Sequence, residues 1–110
     1  MNDELLEKKN YIILLMDCYS TLLTSKQQLY LENYYYEDLS ISEIAENYDV
    51  SRNAVFDQIK RASKTMYDYE DKLKLLEKHL QRKKLIEEIE NTKSISNEQL
   101  MIYLNKIKEI

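Results

Sequence analysis

The residues best suited to chemistry stand close together in "SRNAVFDQIKRASK" (Ser51 to Lys64). On a helix of 3.6 residues per turn, Val55 and Ile59 take the inner side. That leaves Ser51, Arg52, Asn53, Phe56, Lys60 and Arg61 on or near the outer side. The chemistry this set can perform is recognition rather than bond-making. Arg52 and Asn53 suit base edges or phosphates, Ser51 suits a phosphate, and Lys60 and Arg61 suit the nucleic-acid backbone.

Little else in the chain could react. His79 is the only histidine of 110 residues and Cys18 the only cysteine. A zinc site needs more ligands than that. No catalytic residue, metal or cofactor is expected. Cys18 sits among apolar residues and reads as packed in the core. A lone cysteine forms no internal disulfide, which fits a reducing cytoplasm. Without glycine there is no phosphate-cradling loop. No apolar run approaches the roughly 20 residues of a membrane span. The first ten residues, "MNDELLEKKN", are acidic and mixed, unlike a signal peptide. Tyr34, Tyr35 and Tyr36 are consecutive and point about 100° apart on a helix. One or two should face inward and at least one should be partly exposed, as packing or as a stacking surface.

The formal net charge is -4, but its distribution matters more than its sum. From Ser51 to Met66 there are four cations (Arg52, Lys60, Arg61, Lys64) against one anion, Asp57. The preceding stretch, Tyr30 to Val50, has six anions and no cation. Phosphate neutralisation dominates nucleic-acid affinity. The helix start is therefore charged for binding, while Glu43, Glu46 and Asp49 just before it oppose it.

The apolar spacing predicts the elements that position these residues. A first helix covers Asp3 to Leu23. Thr24 or Ser25, with Gln27 or Gln28, starts a second from about Lys26 to Glu37. Ser40 with Glu43 forms a capping box for a short third helix to about Asn47. "NYDV" is the turn, where Asn47 and Asp49 could take positive φ in place of glycine. Ser51 caps the fourth helix. Together these make a helix-turn-helix over about 40–64.

Within the fourth helix Val55, Ile59, Ala62, Met66, Tyr69, Leu73, Leu76 and Leu80 alternate in steps of four and three. That is a heptad seam, and it predicts one long helix to about Leu80. The seam either packs within the chain or pairs subunits, with Met66, Tyr69, Leu73, Leu76 and Leu80 as the interface of a homodimer. After Arg82, Lys83 and Lys84, residues Leu85, Ile86 and Ile89 restore an apolar face. Ser96 with Gln99 opens a last helix to about Lys108. The expectation is one all-α domain over 1–110, with short C-terminal helices over 81–110.

The motifs also carry a resemblance. "LTSKQQLYLENYYYEDLSISEIAENYDVSRNAVFDQIKRA" (Leu23 to Ala62) resembles region 4 of bacterial sigma factors, with Asp38 where those commonly place glycine. "LLTSKQ", "YYYEDLSISEIAENYDVSR", "NAVFDQIKR" and "DYEDKL", in that order and spacing, are more similar still to the YlxM family of small bacterial proteins. These look like free-standing sigma region 4 modules with an added N-terminal helix and a long C-terminal helix. The resemblance implies a regulatory or accessory role in the signal recognition particle pathway, with Ffh and the particle RNA as partners. The sigma likeness alone implies a DNA-binding transcription regulator acting through Ser51, Arg52, Asn53, Phe56, Lys60 and Arg61. A third reading keeps the helix-turn-helix as scaffold for protein interaction. All three place the protein in the cytoplasm and away from membranes.

Overall fold

In the computed structural model, which describes residues 3–110, the described residues form six α-helices and no strand. They are α1 (Asp3–Tyr19), α2 (Ser25–Tyr35), α3 (Ile41–Asn47), α4 (Arg52–Leu73), α5 (Leu75–Glu90) and α6 (Asn97–Glu109). The all-α expectation is met. The reading of the first ten residues includes Met1 and Asn2, which lie outside the described residues. None of the helices is long and apolar enough to cross a membrane, among the described residues.

The chain divides into two compact units, Met1–Leu73 and Lys74–Ile110, and no unbroken helix runs to Leu80. The expected long helix is corrected at Lys74, which adopts left-handed backbone (φ 58°) between α4 and α5. The reason the seam misleads is physical. Apolar spacing reports which residues share a face. Two helices separated by one non-helical residue keep nearly the same spacing, and "DKLKLL" offers no glycine or proline to mark the break.

In the first unit the starts of α2 and α3 are set by their own side chains. Thr24 Oγ1 accepts from Gln27 N (3.2 Å) while Gln27 Oε1 accepts from Thr24 N (3.2 Å). Ser40 and Glu43 repeat this pattern at 3.0 and 3.1 Å. α1 is shorter than expected, because Ser20–Leu22 tighten into a 3-10 turn and Leu23 turns extended. Leu15, Met16, Tyr19, Leu31, Ile44, Val55, Ala62 and Met66 are buried and give the core, drawn from all four helices.

A polar clasp lies within that core. Tyr19 Oη donates to Glu70 Oε1 at 2.6 Å, with Glu70 only 8% exposed. The Tyr19 ring also stacks on Tyr69 (centroids 5.8 Å), and Tyr11 stacks on Tyr67 (5.9 Å). Hydrogen bonds to charged groups are stronger than neutral ones. α1 is therefore fixed to α4 by directional contacts as well as by apolar burial.

The turn between α3 and α4 closes as a Schellman motif. Val50 N donates to Ala45 O (3.0 Å) and Asp49 N to Glu46 O (3.3 Å), with Asp49 left-handed at φ 53°. Of the two residues expected to replace glycine, Asp49 takes the role, and Asn47 remains helical. Asp38, at the position where sigma factors commonly have glycine, is left-handed too (φ 54°), and pairs with Lys9 Nζ at 2.8 Å. Left-handed backbone costs a non-glycine residue about 1–2 kcal/mol, less for Asp and Asn. Asp49→Gly should therefore stabilise the first unit by roughly 0.5–1 kcal/mol, read as a rise of a few degrees in thermal midpoint. Asp49→Val at the same site should lower it.

The second unit is a pair of helices. Ser96 and Gln99 form the expected capping box at 3.1 Å in both directions. Leu85, Ile89, Leu100, Tyr103 and Ile107 are half-buried, and Lys106 Nζ lies 5.8 Å from the Tyr103 ring centroid. Leu76 is the one residue of this unit that is buried.

Candidate nucleic-acid interface

The start of α4 is held by Ser51, whose Oγ accepts from Ala54 N at 3.0 Å. That leaves the hydroxyl hydrogen of Ser51 for an outside acceptor. Behind this turn Val55, Ile59 and Ala62 are buried. In front, Arg52, Asn53, Lys60 and Arg61 are exposed, and Phe56 is 52% exposed. The five α4 residues read from the sequence are thus exposed, and Ser51, just before the helix, caps its start.

Their charges are not equally available. The Arg61 guanidinium lies 3.5 Å from the Asp57 carboxylate, and Lys64 Nζ lies 3.0 Å from Asp68. Both are exposed pairs four residues apart on the helix, each worth only about 0.3–0.5 kcal/mol. Arg52 and Lys60 make no ion pair among the described residues. They are the cations most ready for phosphate.

The acidic helix before the turn is also less opposed than a charge count suggests. Glu43 turns its carboxylate back onto Ser40 N (3.1 Å), at the positive end of its own helix. Glu46 and Asp49 remain exposed.

The sequence reading missed the groups that fix the turn against α2. Asn33 Nδ2 donates to both Leu29 O and Tyr48 Oη, each at 2.9 Å. The Tyr48 ring lies 5.7 Å from that of Tyr30. No local pattern marks Asn33 and Tyr48 as partners, since they are brought together only when α2 and the turn meet. Also unforeseen is a cavity of about 350 Å³ beside the outer face, lined in part by Lys8, Tyr35, Phe56, Lys60 and Tyr67. Burial, followed by the neighbouring Tyr34 and Tyr67, holds the Tyr35 hydroxyl above the usual tyrosine range, so it stays a neutral donor there. Tyr34 and Tyr35 are half-buried and Tyr36 is exposed, as their spacing predicts.

The five residues read as a helix interface separate. Met66 and Leu76 are buried in the single chain, Tyr69 is half-buried on Tyr19, and Leu73 and Leu80 are exposed. Cys18 is half-buried rather than fully packed. Burial pushes its thiol up, and Glu70 and Asp17 add to that, so it is a poor nucleophile. Among the described residues no cluster of His, Cys, Asp or Glu could hold a metal ion.

Comparison with known proteins agrees with this geometry. A family model described as "Putative helix-turn-helix protein, YlxM / p13 like" (UPF0122) matches residues 6–107. UPF0122 protein lwe1821 of Listeria welshimeri is 44% identical over 107 residues, covering 94% of this chain and 97% of that protein. UPF0122 protein YofM of Lactococcus lactis is 44% identical over 105 residues, covering 96% of this chain and 91% of that protein. The match runs from α1 into α6 and takes in the whole helix-turn-helix, so the chain belongs to the UPF0122 family of YlxM / p13-like helix-turn-helix proteins.

Proposed function

We propose that the chain is a regulatory or accessory protein that contacts nucleic acid through the first turns of α4, with the signal recognition particle as its target, through the particle RNA, Ffh or both. The observation that carries the nucleic-acid reading is the outward set of Arg52, Asn53, Phe56 and Lys60 over buried Val55 and Ile59. The particle is favoured by the YlxM resemblance and by the exposed ring of Phe56 at a cavity shared with lysines and tyrosines. Sequence-specific RNA recognition works largely on unpaired bases that stack on such rings. A cytoplasmic location follows from that target.

A second reading, a transcription regulator on duplex DNA, is supported by Arg52 and Asn53 in the first turn of α4. That is where a helix-turn-helix reads the major groove. Mobility shifts with particle RNA and with genomic DNA fragments, together with capture on immobilised Ffh, separate the two. Particle RNA should bind at micromolar protein and lose affinity steeply as salt rises. Absence of binding to both the RNA and Ffh at low salt overturns the particle reading. Salt-sensitive shifts confined to DNA move the assignment to the second. If neither nucleic acid binds, the helix-turn-helix is a scaffold for protein contacts.

A further inference from the structure

We propose that the α5–α6 hairpin is a homodimerisation element, pairing with a second copy of itself about a two-fold axis near Ile86. The first argument is what the unit leaves uncovered. It is shorter than the roughly 40 residues below which a fold usually needs disulfides, metals or association. Ile86 (45% exposed), Met101 (52%) and Leu104 (39%) remain at its surface.

These three residues lie on one side. Lys84 and Glu88 of α5 line an open cavity with Lys106 and Glu109 of α6, which defines one side of the hairpin. Ile86 is two residues from Lys84, and Leu104 is two residues from Lys106. Each is therefore rotated by about 200° and faces the other side. Met101, three residues before Leu104, shares its face. Ile86, Met101 and Leu104 thus form an apolar patch on the side of the hairpin away from that cavity.

The charge order of α5 selects the occupant. Its middle carries Arg82, Lys83 and Lys84, and its end carries Glu87, Glu88 and Glu90. Arg82 and Glu90 stand four residues either side of Ile86, on the same stripe. When α5 meets a second α5 in antiparallel fashion at Ile86, Arg82 of each copy faces Glu90 of the other, at both ends of the contact. A parallel arrangement would set like charges together. The surface is thus complementary to itself, as a two-fold interface requires. The apolar centre supplies the attraction, and the exposed charges set register. The resulting four-helix arrangement is a common solution for amphipathic hairpins. α5 is 16 residues, so each face is about 24 Å long and two helices, about 20 Å, wide, a scale approaching one side of a specific interface. This interface differs from the Met66–Leu80 seam, and it would join two helix-turn-helix units in one particle, where linked sites gain avidity.

Sedimentation equilibrium on the full chain tests it. The unaltered protein should show the mass of two subunits. Ile86→Glu should raise the dimer dissociation constant at least about 100-fold while far-UV circular dichroism keeps its helical form. Arg82→Glu should weaken the dimer about tenfold, since carboxylate then faces carboxylate twice. Adding Glu90→Arg to Arg82→Glu should restore the two-subunit mass, a rescue that a mere folding defect would not give. A single-subunit mass for the unaltered chain at high concentration would leave this face to a different protein and overturn the proposal. So would a dimer that persists in Ile86→Glu, or failure of the reversed pair to recover.

Discussion

Replacing Arg52 and Lys60 together with glutamate should lower affinity for the bound nucleic acid by roughly 100- to 1,000-fold, with the fold unchanged. The magnitude follows from two lost contacts taken at about 1.4–2.1 kcal/mol each, within the usual range of about 1–3 kcal/mol, at about 1.4 kcal/mol per tenfold. The two single changes should differ in kind. Arg52→Ala removes a forked donor at the helix start and should flatten the preference among sequences. Lys60→Ala removes a point charge, weakening all sequences about equally and reducing the salt slope by about 1. Both side chains are exposed, so neither change opens the core. Asp57→Asn works in the opposite sense. It deletes an anion on the same face and frees Arg61 from its 3.5 Å pair, so affinity should rise a few-fold. Fluorescence anisotropy with labelled RNA or DNA across a salt series measures all four variants. An Arg52→Ala and Lys60→Ala pair that binds like the unaltered chain would remove α4 from the interface.

What the sequence made legible, and what it did not, divides by how local the interaction is. The capping boxes of Thr24, Ser40 and Ser96 each involve residues three apart, and all three are formed. Ser51 and Asp49 were readable for the same reason, since a cap and a left-handed turn are decided within a few residues. The outward face of α4 followed from helical period alone. The Arg61–Asp57 and Lys64–Asp68 pairs could have been anticipated from their spacing of four, and they lower the charge that a bare count assigns to this helix. The Tyr19–Glu70 bond could not be read, because it joins positions 51 apart in sequence that meet only in the folded core. The left-handed Lys74 carries no compositional mark. A heptad repeat that continues across it hid both the break and the second unit.

Met66 gives the sharpest test of how the seam is used. If it were a subunit contact, truncation would leave each chain folded and change only association. It is instead fully buried in the single chain, among the core positions of α4. Met66→Ala should therefore destabilise the first unit by about 2–5 kcal/mol, the usual range for emptying a buried methionine site. For a unit of this size, about 3 kcal/mol corresponds to a fall of roughly 12–24 °C in thermal midpoint. Near-UV circular dichroism follows this unit selectively, because nine of the ten tyrosines lie before Leu73. The difference between variant and unaltered chain should be the same at widely different protein concentrations, since a monomer core is not linked to association. Leu73→Ala and Leu80→Ala, at exposed positions of the same repeat, should cost about 1 kcal/mol or less. A Met66→Ala difference that grows with dilution, or Leu73 and Leu80 variants as damaging as Met66→Ala, would return the seam to an interface between subunits.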